Sequence, residues 1–396
     1  MKKCVIIGAS AAGISAANHL ARLDPNAQII CINAEAEDPY NKCFLADYVH
    51  SIKKENELYL AAVFNGTSRI LLPSTRATAI DSHSRTVSTD DGRAIAYDTL
   101  LIATGSRPFI PPFIDTWHKG IFTFHSLADI KAILQYINKN NVKKITIIGA
   151  GLTGIECADA LLAYNVELTI VERYHHIMSA FLDNDAANFL KEKIVGRSTI
   201  MVNQTVNKVY SKGNCIISVE LSDNTCIDTD LLILSTGLIP NIELGVSAGI
   251  ATDNRGIIVN DYLQTSVEDI YAAGDVISVT NNLTGTKIRS CIWADAMAQG
   301  MHAAYAIMQM PKKYPGVNLI TTSSFFGLHF AHAGIQYPSM NTDILIIEQT
   351  EEMYYKLVLR DNRLIGFISI GKFNKSLTLK KFLLTQEEFT LKTLLL

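Results

Sequence analysis

Two glycine-rich turns carry the chemistry most open to this chain. One is Val5-Ile6-Ile7-Gly8-Ala9-Ser10-Ala11-Ala12-Gly13; the other is Ile145-Thr146-Ile147-Ile148-Gly149-Ala150-Gly151-Leu152-Thr153-Gly154. Each follows an apolar run and leads into helix-favouring residues. In that setting small side chains let backbone N–H groups at a helix N-terminus meet a pyrophosphate. Ser10 stands where a strict GxGxxG pattern has its middle glycine, and it is small enough for the same close approach. Far downstream, Ile270-Tyr271-Ala272-Ala273-Gly274-Asp275 can return to the first turn and aim the Asp275 carboxylate at hydroxyls of whatever is bound there. The combination implies a resident flavin dinucleotide and a visiting nicotinamide dinucleotide.

After each turn comes a polar residue able to hold a ribose. In the first unit it is Asn33, which offers hydrogen bonds without charge, with Glu35 two residues on as either a helper or a solvated loop carboxylate. In the second it is Glu172, whose carboxylate accepts from a 2′-hydroxyl and repels a 2′-phosphate, so NADH is favoured over NADPH. Arg173 and the His175-His176 pair offset part of that repulsion.

Positioning these residues takes two βαβ units. The first runs from the Cys4–Ile7 strand through the first turn and a helix to a strand at Gln28–Ile32, after the Asp24-Pro25-Asn26 turn. The second has a helix from Ile155 to about Tyr164 and a strand at Glu167–Val171. Tyr97 to Ser106 reads as a buried strand ending in small residues, followed by Pro108, Pro111 and Pro112 at a crossover. Leu231–Leu234 reads as the last strand of the second unit. In the tail, Tyr354–Ile370 reads as a hairpin turning at Asp361-Asn362, and Ser376–Leu396 as an amphipathic helix.

With 396 residues and 48% hydrophobic content, two or three domains are expected. A net charge of -3 with interspersed signs argues against nucleic acid or an anionic membrane as partner. No apolar run approaches a bilayer span, and the N-terminus lacks the pattern of a signal peptide. Seven cysteines, an odd number with no close CxxC pair, suit a cytoplasmic protein without structural disulfides, and no metal site is expected.

The motif order is GxSxAG, Tyr-Asp-x-Leu-Leu-Ile-Ala-Thr-Gly-Ser, GxGxxGxE, Gly-x-x-Pro-Asn and Ile-Tyr-Ala-x-Gly-Asp. It resembles the FAD-dependent pyridine nucleotide disulfide oxidoreductase superfamily along essentially the whole chain. Pro39 to Leu45, Ile292 to Gly300 and Leu364 to Gly371 are most similar to the group of rubredoxin reductases, nitrite reductase flavin domains, NADH oxidases and coenzyme A disulfide reductases. The resemblance implies an α/β fold of two Rossmann-like dinucleotide-binding domains, the NAD domain inserted in the FAD domain, plus a small α+β C-terminal interface domain. The expected boundaries are 1–113 and 239–312 for FAD, 114–238 for NAD and 313–396 for the interface domain.

It further implies that Gly8, Ser10, Ala11, Ala12 and Gly13 cradle FAD. Ala77, Ala103, Thr104, Gly105, Gly237 and Gly274 join the cofactor contacts. Asp275 would meet the ribityl chain, and Trp293 would border the isoalloxazine. Gly149, Gly151, Leu152, Thr153 and Gly154 would serve NADH. Glu156 matches a glutamate that points to the nicotinamide side of the flavin and can pair with a lysine, for which Lys42 is the natural candidate. A cation beside flavin N5 would stabilise the charge of the reduced ring. The plain alternatives are an ordinary salt bridge for Lys42 and a helix-starting role for Glu156.

Cys43 separates the mechanisms. Its position matches the single redox cysteine of NADH oxidases and coenzyme A disulfide reductases, and its surroundings equally match relatives that use none. As a small hydrophobe it could also simply pack, the reading given to the other six cysteines. The oxidases' histidine in the first cradle corresponds to Ala11, which speaks against a dedicated oxidase. The expected function is therefore transfer of hydride from NADH to flavin N5. Electrons then pass to a rubredoxin- or ferredoxin-type protein or another acceptor, with a thiol/disulfide substrate or oxygen through Cys43 as the alternative. A redox sensor without turnover is a reading of a different class. The tail is expected to form a homodimer interface, with Phe325-Phe326 and Leu394-Leu395-Leu396 costly to leave in water.

Overall fold

The computed structural model of the chain describes residues 3–64, 67–112, 114, 118–310, 312–337, 340–372 and 376–389. The chain divides into two compact units. The first comprises Met1–Phe44, Lys53–Arg107 and Leu238–Asn318; the second comprises Leu45–Ile52, Pro108–Gly237 and Leu319–Leu396.

At the centre of the first unit the strand Lys3–Ile7 pairs in parallel with Gln28–Ile32 on one side and Thr99–Ile102 on the other. These strands are apolar and buried because both faces of a parallel sheet are covered. Arg69–Leu72 extends one edge, and Ile270–Ala272, from far along the chain, closes the other in register with Leu100–Ile102. That pairing brings Gly274 and Asp275 to the end of the sheet where the first glycine turn lies. The helix Ala11–Leu23 packs against Trp293–Ile307. Gly300 permits the crossing, since a Cβ there would sit 2.1 Å from the Ala12 carbonyl oxygen. Ser15 Oγ donates to the Met297 carbonyl at 2.7 Å and ties the two helices together. Ala77–Asp81, Thr86–Thr89 and Ala94–Ala96 form a separate antiparallel sheet.

The second unit repeats the pattern. Lys144–Ile148 lies between Glu167–Val171 and Leu231–Leu234, all parallel, with Thr199–Met201 on one edge. Leu231–Leu234 is the last strand of this sheet along the chain, as expected, and the short strand Ile121–Thr123 pairs on its outer side. The cradle helix starts at Leu152, three residues before the expected Ile155, and finishes as a 3-10 turn at Leu162–Tyr164.

The tail is an antiparallel five-stranded sheet. Its hairpin of Met353–Arg360 and Arg363–Gly371 turns at Asp361-Asn362, as expected. Both turn residues have positive φ, 49° and 58°, the twist that a two-residue loop needs to follow its strands. The last helix is shorter than expected, Ser376–Thr385, because Gln386 adopts a left-handed backbone (φ 54°) and Phe389 hydrogen-bonds back to Asn362. Phe325 and Phe326 are buried within this unit, so they need no partner to leave water. Leu394–Leu396 lie outside the described residues.

Candidate functional site

The glycines of the two turns occupy matching environments. Gly8 (φ 113°) and Gly149 (φ 101°) have left-handed backbones, and a Cβ on either would lie 2.1 Å from a backbone oxygen, of Ala103 and Ser235 respectively. Gly13 and Gly154 press on the turn from the helix side, 1.9 and 2.0 Å from the Gly8 and Gly149 oxygens by the same measure. Gly151 differs, for a Cβ there would meet nothing within 4 Å. Two glycines thus shape the turn and the third faces the space a pyrophosphate needs.

Helix capping separates these helices from their neighbours. Leu127–Asn140 and Asn184–Ile194 each begin with a side-chain cap, Ser126 and Asp183, and an acid in the first turn. Ala11–Leu23 and Leu152–Leu161 have neither: Ser10 makes no capping bond, Gly151 has no side chain, and no acid stands in either first turn. Their opening N–H groups and positive dipole ends are left for an external anion. The residues present therefore fit two pyrophosphates.

In the first unit, Asp275 accepts from Ser106 Oγ at 3.2 Å. Burial raises its carboxyl above the usual range, against the opposing pull of Ser106 and the positive charges of Arg289 and Lys42. Gly274 N–H donates to Gln299 Oε1 at 2.7 Å, locking the return segment to the helix that Trp293 begins. Thr104 and Asn241 exchange bonds of 2.9 and 2.8 Å. Ala103 and Ala77 are buried, and Gly105 takes a left-handed φ of 64°.

Several sequence assignments change here. Glu35 is no loose carboxylate: Tyr40 donates to one oxygen at 2.6 Å and Lys42 to the other at 2.9 Å. The ion pair holds Lys42 to Glu35 within the first unit, whereas Glu156, its expected partner, belongs to the second. Asn33 is buried and organises its own loop, donating to the Glu37 carbonyl at 3.1 Å. Glu156 lies in the second unit, where the charge acting on it is that of another acid, Asp47. Periodicity gave no hint of Asp47, because the short helix that carries it, Leu45–Val49, belongs to the second unit while its chain neighbours belong to the first.

Glu172 is 6% exposed and both oxygens are used: Ala150 N–H donates to one at 2.7 Å and Tyr174 N–H to the other at 2.9 Å. The carboxylate thereby grips the second turn itself. Arg173 stacks on Tyr174, 4.6 Å from the ring centroid, and donates to its hydroxyl at 2.7 Å. Gly237 has a left-handed φ of 106°.

The cysteines divide. Cys4, Cys31 and Cys157 are buried, and burial pushes their thiols up, Cys4 to about 12. Cys43, Cys215, Cys226 and Cys291 are exposed, so the packing role expected for all but Cys43 fails for three. Cys215 and Cys226 fall on the solvent side of their strands, and Cys291 lies in the loop before Trp293, accepting from Arg289 Nε at 3.1 Å.

The pyridine nucleotide-disulphide oxidoreductase family matches residues 2–309. An NADH oxidase of Methanocaldococcus jannaschii is 30% identical over 326 residues, covering 80% of this chain and 72% of that protein. An assimilatory nitrate reductase electron transfer subunit of Bacillus subtilis is 28% identical over 98% of this chain, which spans only 50% of that protein's length. The solved structure of an NAD-dependent persulfide reductase from A. fulgidus superposes with a TM-score of 0.90 at 26% identity, covering 97% of this chain and 77% of that one.

Proposed function

The chain belongs to the pyridine nucleotide-disulphide oxidoreductase family and is an NAD(P)H-dependent flavin oxidoreductase; from that premise we propose that FAD occupies the first unit, NADH the second, and a thiol-linked acceptor meets Cys43. The observation that carries two nucleotide sites is the pair of uncapped cradle helices, unlike the capped helices Leu127–Asn140 and Asn184–Ile194; Asp275, returned to the first sheet by Ile270–Ala272, supports FAD there. FAD, when bound, supplies a ring that takes hydride from a nicotinamide and passes electrons on singly or in pairs.

Around it, Gly8, Ser10, Ala11, Ala12 and Gly13 hold the pyrophosphate, Asp275 receives ribityl hydroxyls, and Trp293 borders the ring. Ala77, Ala103, Thr104, Gly105 and Gly274 line the remainder. Glu35 keeps the adenosine ribose. Lys42, bound to Glu35 and acting on Asp275, is reassigned from N5 to the middle of the dinucleotide, where it offsets phosphate charge. In the second unit Gly149, Gly151, Leu152, Thr153 and Gly154 receive the pyrophosphate of NADH, and Gly237 leaves room beside it. The Glu172 carboxylate disfavours the extra phosphate of NADPH, since the nearby Arg173 is engaged by Tyr174.

Support for the thiol-linked acceptor comes from the exposure of Cys43, which it shares with Cys215, Cys226 and Cys291, together with its place beside Lys42 in the first unit and the similarity to the persulfide reductase across nearly the whole chain. An electron-carrier protein is the second reading, supported by the similarity to the electron transfer subunit. Ala11 has no ionisable group for oxygen chemistry. Association with a second copy through the tail is supported by the edge strand Ile344–Gln349, which exposes Ile344, Leu345 and Ile347. Light scattering should then show a dimer at micromolar concentration.

The test is to load the purified protein with FAD, reduce it anaerobically with NADH, and add disulfide, persulfide or ferredoxin-type acceptors to it and to Cys43→Ser. Loss of disulfide and persulfide turnover with flavin reduction intact supports the thiol reading. Unchanged turnover of every acceptor refutes it. A protein that stays colourless with excess FAD refutes the whole assignment.

A further inference from the structure

Within the first unit the strand Ile270–Ala272 runs out against the first cradle. Ala273 N–H makes the last bond to the sheet, to the Ile102 carbonyl at 3.0 Å. Gly274 then turns with a left-handed φ of 86°, so close to the cradle helix that a Cβ on it would lie 3.1 Å from Ala12 Cβ. Past the end of the ladder its N–H needs another acceptor, and Gln299 Oε1 supplies one at 2.7 Å. Asp275 is the next residue.

Gln299 is 1% exposed. In an amide buried this deeply only the oxygen can accept, so its two ends must be told apart. Oε1 faces Gly274, and Nε2 donates to the Tyr314 hydroxyl at 3.2 Å. Tyr314 is itself held. Its backbone N–H donates to the Asp261 carbonyl at 2.7 Å, and its ring meets His302 edge-on with centroids 5.3 Å apart. His302, one turn along the helix from Gln299, donates through Nδ1 to the Lys312 carbonyl at 3.0 Å and ties the Tyr314 segment back to that helix. The residue after Gln299 is Gly300, which presses on the Ala12 carbonyl. Consecutive residues of the helix Trp293–Ile307 thus fix the Gly274–Asp275 turn and the cradle.

We propose that Gln299, kept in orientation by Tyr314, is a positioning residue for the dinucleotide of the first unit: it sets the Gly274–Asp275 turn at a fixed distance from the cradle N–H groups, so that one ligand meets both. This deepens the reading of the first unit as the FAD site and rests on it. Without the Gln299 bond the turn is ordered only as FAD binds, and the freedom lost at that moment weakens binding.

The FAD-loaded protein is compared as wild type, Gln299→Met, Gln299→Glu, Tyr314→Phe and Asp275→Ala, together with the double variant Gln299→Met/Asp275→Ala. Free FAD is read by the fluorescence of ultrafiltrates along a dilution series, which gives Kd without turnover. Circular dichroism melts report folding of the same samples. Gln299→Met removes the acceptor and should weaken FAD about tenfold, and Tyr314→Phe, which only frees the amide, about threefold. Gln299→Glu keeps one oxygen for Gly274 and another for the Tyr314 hydroxyl, so it should bind FAD more tightly than Gln299→Met. Because Gln299 acts through the turn that carries Asp275, adding Gln299→Met to Asp275→Ala should weaken FAD by less than about twofold more.

A Gln299→Met protein that holds FAD as wild type does, a Gln299→Glu protein no better than Gln299→Met, or losses that multiply fully in the double variant overturn the proposal, whatever the melting temperatures. Should Gln299→Met fail to fold, Tyr314→Phe with and without Asp275→Ala supplies the same cycle. An Asp275→Ala protein with unchanged Kd also overturns it, and the fault then lies in the placement of FAD beside Asp275.

Discussion

Alanine at Gly151 and alanine at Gly154 should damage the second cradle in opposite ways. At Gly154 the new methyl would lie 2.0 Å from the Gly149 oxygen, a backbone atom that cannot swing aside. Either the helix or the turn must shift, at a cost of about 1–3 kcal/mol or more for overpacking. In a unit of this size that corresponds to roughly 2–4 °C of Tm per kcal/mol. At Gly151 φ is an ordinary -71° and a methyl would meet no protein atom within 4 Å, so the stability cost should be about 0.5 kcal/mol. The space it enters is the one assigned to the NADH pyrophosphate. Forfeiting one charge-assisted hydrogen bond of about 1.5–3 kcal/mol should weaken NADH roughly 10- to 150-fold. Thermal melts followed by circular dichroism, with stopped-flow flavin reduction against NADH concentration, separate the two effects. Gly151→Ala that binds NADH like wild type, or melts as early as Gly154→Ala, would refute the assignment of these glycines.

Other expectations concern charge. His332 is 6% exposed, with Nδ1 unpartnered, and burial lowers its pKa from 6.5 to about 4. Between those values the unfolded chain binds the extra proton, so stability is full above pH 6.5 and falls toward pH 4 by about 3 kcal/mol. His332→Phe should flatten that slope in urea titrations across the window, and an unchanged slope would assign it elsewhere. Lys356 and Asp183 form a salt bridge with side chains 5% and 4% exposed. Lys356→Met strands the acid and should cost about 3–5 kcal/mol, and adding Asp183→Asn should recover part of it. Glu172→Gln should narrow the preference for NADH over NADPH by about tenfold, about 1.4 kcal/mol, measured as the ratio of kcat/KM values. A preference that is unchanged or larger would remove Glu172 from nucleotide discrimination.

Much of the fold was legible because its determinants are local. A buried parallel strand needs an apolar run, a tight turn into a helix needs glycine, and both sit within a dozen consecutive residues in the two βαβ units. The tail hairpin was equally readable from Asp361-Asn362, which accept left-handed backbone. The edge strand Ile121–Thr123 escaped notice because three residues at a sheet margin make no periodic pattern.

What the linear chain determined by itself was the existence of two glycine turns that open into helices and the return of Asp275 to the first. Only the tertiary structure decided which side chains meet: Lys42 with Glu35, Glu156 with Asp47 and Ser323, and which cysteines reach solvent. Backbone geometry is dictated over a few neighbouring residues, whereas the partner of a charged side chain depends on how distant elements pack. Ser323 and Glu156 stand 167 positions apart, and nothing in the spacing of either could announce the other.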